Sequence, residues 1–192
     1  MKPLSFNINK KIEGALGRSG IITTPHGEIQ TPAFVTVGTK ATVKGITPEM
    51  LKDVGAQVVL ANTYHLYLQP GEKVIKEAGG LGKFMNWSLP TMTDSGGFQA
   101  FSLGAAYGKN ITKFVAGENE AKMLPRAKVE EAMSIAKVDE NGVMFKSIID
   151  GSVHYFTPEK SIQIQNDIGA DIILLLTNVH LHRNRMRIRR SH

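Results

Sequence analysis

Residues 93–99 read Thr-Asp-Ser-Gly-Gly-Phe-Gln and place the carboxylate of Asp94 beside a hydroxyl, two glycines and an aromatic ring. Residues 89–92 are typical of a short strand, so we expect Asp94 at its carboxyl end. A carboxylate there can act as a general base or accept a hydrogen bond from a ring N–H. The glycines allow a ligand to approach the backbone, and Phe98 offers a flat face to a planar ring. An ordinary Asp-Ser-Gly-Gly turn accounts for the same residues without a ligand.

Helix and strand signals alternate around this motif. Residues 47–49 (Thr-Pro-Glu) indicate a helix start, Gly55 its end, and residues 58–61 a buried strand that leads into Asn62. Residues 70–80 repeat the helical pattern, ending at a glycine pair. The Thr-Pro-Glu start recurs at 157–159, before a glycine and an apolar strand over 172–176. Helix, stop, apolar strand and polar loop in this order predict a parallel α/β fold.

A hairpin is predicted between two of these segments. Residues 143–149 and 153–156 are both rich in apolar and aromatic side chains, and they flank Asp150 and Gly151. An Asp-Gly pair between such runs favours a tight antiparallel connection.

Composition is that of a globular chain, with 42% hydrophobic and 21% charged residues. No apolar run approaches the ~20 residues of a membrane span, and the first residues lack a signal-peptide core. We therefore expect a cytoplasmic protein with no membrane contact. The absence of cysteine excludes disulfides and thiolate metal sites from these 192 residues.

Five ordered segments resemble the tRNA-guanine transglycosylases (queuine tRNA-ribosyltransferases) of the bacterial type. They comprise residues 31–48, 55–71, 84–87, 93–103 and 157–172. The resemblance implies an α/β fold of the (β/α)8 TIM-barrel type, with an N-terminal β segment. Such a barrel needs about 250 residues, so the 192 residues here are expected to supply only about its first half. Residues 105–133 interrupt the resemblance and are predicted to be a surface insertion.

The resemblance also implies a reaction in queuosine biosynthesis. Guanine at the tRNA wobble position is exchanged for a 7-deazaguanine base, preQ1 or queuine, through a covalent intermediate formed by a nucleophilic aspartate. Asp94 matches the family's proton acceptor and base contact. The other positions that match the base-binding pocket are Ser95, Gly96, Gly97, Phe98 and Asn62. His65 has no nucleophile partner in the sequence, so we expect a packing role for it.

The chain departs from the family's pattern toward its end. The position of a second base-recognising aspartate is Thr177 here, and the nucleophile and the structural zinc ligands are expected beyond residue 192. The resemblance implies tRNA as partner and a homodimer for the full-length enzyme. It also implies a zinc ion in the family, but we expect no metal ligands in this chain. Because the nucleophile is missing, we expect no activity of this chain alone. A noncatalytic partner subunit or a tRNA-binding fragment is the alternative.

Residues 177–192 form a basic tail that is expected to lie outside a fold spanning 1–176. The tail holds five arginines and three histidines, and without those arginines the chain has 18 basic against 17 acidic residues. Its first residues are T-N-V-H-L-H. A set of codons that encodes this hexapeptide also encodes D-E-C-T-S-P when the reading frame is shifted back by one nucleotide. D-E-C-T-S-P resembles the sequence with which the family continues at this point. Our hypothesis is a frameshift near codon 176, and a basic arm that binds RNA phosphates is the alternative. His180 and His182 lack a third ligand nearby.

Overall fold

The computed structural model describes residues 4–100 and 136–176. Its contacts divide the chain into two units, of which the first comprises residues 1–95 and 161–175 and the second residues 96–160 and 176–192. The predicted insertion at 105–133 and the tail at 177–192 both lie outside the described residues.

The first unit begins with an antiparallel sheet of three strands in the order β1-β2-β3. These strands are Ser5–Lys11, Arg18–Thr24 and Gly27–Thr31. Gly20 is required where β1 and β2 pair, because a Cβ there would lie 2.3 Å from the carbonyl oxygen of Asn7. The sheet confirms the predicted N-terminal β segment.

A parallel sheet of four strands forms the centre of the first unit, in the order β10-β6-β5-β4. Its strands are β4 (Thr36–Val37), β5 (Val59–Ala61), β6 (Thr91–Thr93) and β10 (Ile172–Ile173). The parallel α/β pattern predicted from the sequence is therefore confirmed. The last strand is shorter than the predicted 172–176, since Leu174 and Leu175 lie outside the ladder and are 45% and 66% exposed.

Three of the described helices lie where the sequence signals predicted them. The helices are α1 (Pro48–Asp53), α2 (Thr63–Leu68), α3 (Glu72–Glu77), α4 (Leu81–Phe84) and α5 (Pro158–Ile168). The Thr47 hydroxyl caps α1 by accepting the Met50 N–H at 3.3 Å. Gly169 follows α5 with a φ of +74°, the left-handed conformation that ends many helices. Helix α2 was not predicted, because its polar start resembles a loop in the sequence.

Apolar side chains from strands and helices bury each other in the first unit. Fully buried members are Val59, Ala61, Leu66, Ile75, Leu81 and Ile168. The amino end of β6 is fixed by Asp171, whose buried carboxylate accepts the Thr91 N–H at 2.8 Å and contacts His26 Nδ1 at 2.6 Å.

The second unit contains an antiparallel sheet in the order β7-β8-β9. Its strands are β7 (Ala136–Val138), β8 (Val143–Lys146) and β9 (Val153–Phe156). The predicted hairpin of β8 and β9 is confirmed, although β8 ends at Lys146 because Ser147, Asp150 and Ser152 form a hydrogen-bonded turn. Phe145 and Phe156 pack edge to face in its core, with ring centroids 5.2 Å apart.

Candidate functional site

Asp94 lies at the carboxyl end of β6, as the sequence predicted. Strand β5 is its parallel neighbour, and Ala61 is paired with Thr93 in the ladder. The residues that follow these two, Asn62 and Asp94, therefore emerge side by side at one edge of the sheet. The carboxyl ends of parallel strands are where α/β proteins place their ligands.

Two donors from the segment that follows the neighbouring strand β5 hold the carboxylate of Asp94. Asn62 Nδ2 donates to Asp94 Oδ2 at 2.8 Å, and the Thr63 N–H donates to Oδ1 at 2.8 Å. The Thr63 hydroxyl donates to the Asp94 carbonyl oxygen at 2.5 Å. These contacts fix the orientation of the carboxylate, whose oxygens can each accept more than one hydrogen bond.

Helix α2 explains why this arrangement forms. Asn62 is its N-cap residue, yet its side chain makes no capping bond within the helix. Asp94 instead accepts the Thr63 N–H, one of the donors that the first turn of a helix leaves unpaired. The carboxylate thus caps a helix that is distant in sequence, and its negative charge lies at the positive, N-terminal end of the helix dipole.

Thr63 is a site residue that the sequence reasoning missed. Its side chain is fully buried, and both its N–H and its hydroxyl bind Asp94. The available signal was its position directly after Asn62, at the first residue of a helix. That signal depends on recognising α2, which the sequence reasoning treated as a loop.

The other predicted site residues continue the chain after Asp94. The Ser95 carbonyl accepts the Ser161 hydroxyl at 2.7 Å, which fixes the backbone just beyond Asp94. Gly96 has a φ of +74°, and residues 97–100 are helical, so Ser95 and Gly96 connect Asp94 to a helical segment. The Phe98 side chain is 75% exposed, which leaves its face accessible.

His65 is half-buried, and its ring packs against Tyr64 with centroids 5.2 Å apart. Burial lowers the pKa of His65, the charge of Lys40 lowers it further, and Asp94 acts in the opposite direction. A pKa below the ordinary value of 6.5 keeps the imidazole neutral at pH 7. These features agree with the packing role expected from the sequence.

A cavity of about 420 Å³ lies at the other end of the parallel strands in the first unit. Trp87 and Ser88, which precede β6, and Gly169, which precedes β10, line it together with Lys52 and Lys83. Lys52 lies in the last turn of α1 and Lys83 in the last turn of α4, where a positive charge offsets the negative end of the helix dipole. The lysines are thus accounted for by the fold.

A zinc site cannot be built from the part of the chain that the structure describes. Residues 4–100 and 136–176 contain no group of three histidine, cysteine, aspartate or glutamate side chains able to hold a metal ion. The sequence also lacks cysteine, the ligand that structural zinc sites most often use.

Within residues 4–100 and 136–176 there is no helix long and apolar enough to cross a bilayer.

Comparison with known proteins gives the family. A family model described as "Queuine tRNA-ribosyltransferase" matches residues 13–192. The chain belongs to this family. The queuine tRNA-ribosyltransferase of Caldanaerobacter subterraneus subsp. tengcongensis is 48% identical over 174 residues, which are 91% of this chain and 39% of that protein. The protein of the same name from Roseiflexus sp. is 50% identical over 171 residues, 89% of this chain and 40% of its own length.

The resemblance read from the sequence motifs is therefore confirmed, including its bacterial character. A third relative with the same name, from Fusobacterium nucleatum, is 47% identical over 173 residues, 90% of this chain and 38% of that protein. The chain thus spans about two fifths of the length of the curated relatives it matches.

Proposed function

We propose that this chain supplies the base-recognition part of a tRNA-guanine transglycosylase, which exchanges guanine at the tRNA wobble position for a 7-deazaguanine such as preQ1 or queuine. The observation that supports this most directly is the Asp94 carboxylate, held by Asn62 and Thr63 at the carboxyl end of β6. Family membership supports the reaction class.

In this proposal Asp94 accepts hydrogen bonds from the ring N–H and amino groups of the bound guanine or 7-deazaguanine. Asn62 and Thr63 hold the carboxylate, Ser95, Gly96 and Gly97 border the base, and Phe98 stacks on it. Stacking of a base on an aromatic face contributes about 1–3 kcal/mol in nucleic-acid sites. A second carboxylate, outside the residues described, attacks the ribose C1′, and guanine leaves with the electrons of the C1′–N9 bond and takes up a proton. Asp94 serves as proton acceptor in the second step, when the incoming base loses its N9 proton, bonds to C1′ and displaces that carboxylate.

Several finer features belong to the same proposal. The described sheet is the first part of a (β/α)8 barrel, residues 1–176 belong to that fold, and the whole enzyme is a cytoplasmic homodimer that acts on tRNA. Structural zinc would be held elsewhere in such an enzyme, since the donor set described here does not fit it.

Base binding by the 192-residue chain tests the proposal directly. Calorimetric titration with guanine is expected to show binding, and adenine, which lacks the N1–H and the 2-amino group, is expected to bind at least about tenfold more weakly. Asp94→Asn removes an acceptor and is expected to weaken guanine binding by about the same factor. Asp53→Asn, at an exposed aspartate at the end of α1, is the matched control. Equal binding of the two bases, or an unaffected Asp94→Asn chain, would refute the assignment.

The exchange reaction is tested in cells that lack their own transglycosylase. The gene encoding this chain is expressed there, and queuosine in the tRNA is measured by mass spectrometry of nucleosides. We expect no queuosine from the 192-residue chain alone, queuosine from a gene whose corrected frame continues past codon 176, and none from that corrected gene with Asp94→Asn. Queuosine from the 192-residue chain alone would refute its proposed inactivity, and guanine binding with no queuosine from the corrected gene would favour a noncatalytic subunit.

We further propose that residues 177–192 arise from a frameshift and lie outside the fold. The family-model match includes this segment, so a tail that belongs to the family's own sequence is the competing outcome. Sequencing the gene from codon 165 onward decides between them. A frame that opens into D-E-C-T-S-P after one corrected base supports the frameshift, and a confirmed frame refutes it.

A further inference from the structure

The Gln165 side chain on α5 is fully buried and uses its whole hydrogen-bonding capacity. Its Oε1 accepts the Thr93 hydroxyl at 2.9 Å and the Leu174 N–H at 3.1 Å. Its Nε2 donates to the Ser161 hydroxyl at 3.2 Å and to the Leu174 carbonyl at 3.0 Å. A primary amide has two acceptor and two donor positions, and here all four are filled.

These partners lie at the carboxyl ends of two neighbouring strands. Thr93 is the last residue of β6, and Leu174 directly follows β10. Leu174 N also donates to the Thr93 carbonyl at 3.2 Å. One glutamine side chain therefore ties together the two strand ends at the edge of the sheet where Asp94 emerges.

Ser161 extends the same network past Asp94. Its side chain is fully buried, accepts from Gln165, and donates to the Ser95 carbonyl at 2.7 Å. The residues on both sides of Asp94 are therefore hydrogen-bonded to α5. Thr93, before it, binds Gln165, and Ser95, after it, binds Ser161.

We propose that Gln165, Ser161 and Thr93 form a positioning network that holds the Asp94 backbone in register for base recognition. The inference rests on the proposed function, because it assigns these residues a part in the same site. None of the three is placed against the ligand, so they act through Asp94. Burying a polar network in an apolar core costs desolvation free energy unless its polar groups are hydrogen-bonded. Here the Gln165 amide and the hydroxyls of Ser161 and Thr93 all have partners.

Two substitutions of Thr93 separate positioning from packing. Thr93→Val keeps the volume and removes the hydroxyl that donates to Gln165, whereas Thr93→Ser keeps the hydroxyl and removes a methyl group. Guanine affinity of the 192-residue chain is measured by calorimetry, and Tm by differential scanning fluorimetry. We expect Thr93→Val to weaken guanine binding about tenfold and Thr93→Ser to stay within about twofold, even where both lower Tm.

A second pair uses the helix itself. Gln165→Met removes the amide at similar length and is expected to weaken guanine binding as Thr93→Val does. Ile168→Val, on the same helix and equally buried, removes one methyl group outside the network and is expected to lower Tm with unchanged affinity. Ser161→Thr retains a hydroxyl and is expected to keep more affinity than Ser161→Ala.

The outcomes distinguish this inference from the function on which it rests. If the unsubstituted chain does not bind guanine, the proposed function fails. If it binds and Thr93→Val retains that affinity, only the positioning network is refuted. A Thr93→Val chain that fails to fold where Thr93→Ser folds would show that the network supports the fold and not the site, which also refutes the inference.

Discussion

The side-chain amide of Asn62 donates to the carboxylate of Asp94 at 2.8 Å, although the two residues are 32 positions apart. The parallel pairing of β5 with β6 brings them together, because each residue directly follows its strand. The Thr63 N–H adds a second donor to the same carboxylate. The carboxylate is thus oriented by groups that lie outside its own loop.

Replacing this donor by a second acid should make stability depend on pH. Asn62→Asp places two carboxyl groups within hydrogen-bonding distance, and a like charge raises the pKa of one of them above its unfolded value. A raised folded pKa contributes stability below the unfolded value of about 4 and loses it as pH rises. We expect the difference in unfolding free energy from the native chain to grow between pH 4 and pH 7, measured by urea denaturation.

Asn62→Ala is the control for this experiment. It removes the donor without adding a charge, so its effect on stability should stay nearly constant over the same pH range. An Asn62→Asp chain whose stability follows the Asn62→Ala chain at every pH would contradict the expected charge repulsion.

The Thr63 hydroxyl should contribute to stability out of proportion to its size. Thr63→Val keeps the shape and leaves the Asp94 carbonyl without its 2.5 Å donor in a buried setting. Losing one partner of such a bond costs about 1–3 kcal/mol. Urea denaturation of Thr63→Val and Thr63→Ser provides the measurement, and the serine chain, which keeps the hydroxyl, should be the more stable of the two. The reverse order would show that the methyl group matters more than the bond.

The start of α1 depends on the Thr47 cap. Its hydroxyl accepts the Met50 N–H at 3.3 Å, and alanine at an N-cap position costs about 0.5–2 kcal/mol. Thr47→Ala is therefore expected to lower the unfolding free energy by that amount in chemical denaturation. Thr42→Ala, at an exposed threonine outside the helix, should change it by less than about 0.5 kcal/mol. Equal changes in unfolding free energy for the two substitutions would show that the Thr47 cap does not stabilise the protein.

The turn between β8 and β9 should lower the pKa of Asp150 to about 2. Hydrogen bonds from the Ser152 and Ser147 side chains and from the Ser152 N–H cause this shift. Because the folded pKa lies below the ordinary 3.8, the stabilisation is present above 3.8 and is lost as pH falls toward 2.

An NMR titration of the Asp150 carboxyl group measures this directly. Ser152→Ala removes the largest contribution and should move the midpoint upward toward 3.8. Ser88→Ala, outside this turn, should leave it unchanged. A native midpoint near 3.8 would mean that the turn is not formed as described.

Local chemistry allowed much of the fold to be predicted. The Thr-Pro-Glu starts and the glycine stops located α1 and α5 because caps and left-handed glycines act within a few residues. Helix α2 escaped prediction because its cap comes from Asp94, a residue in another strand connection. The extent of β10 was overestimated because an apolar run does not reveal how many of its residues have a neighbouring strand.

The sequence by itself determined the family, the alternation of helices and parallel strands, and the placement of Asp94 at a strand end, since motif order and capping signals are properties of the chain. Only the tertiary structure decided what surrounds that carboxylate. The donors Asn62 and Thr63 and the network through Gln165 reach Asp94 and its neighbours across the sheet. Such contacts depend on strand register and helix packing, which bring together residues that sequence spacing keeps far apart.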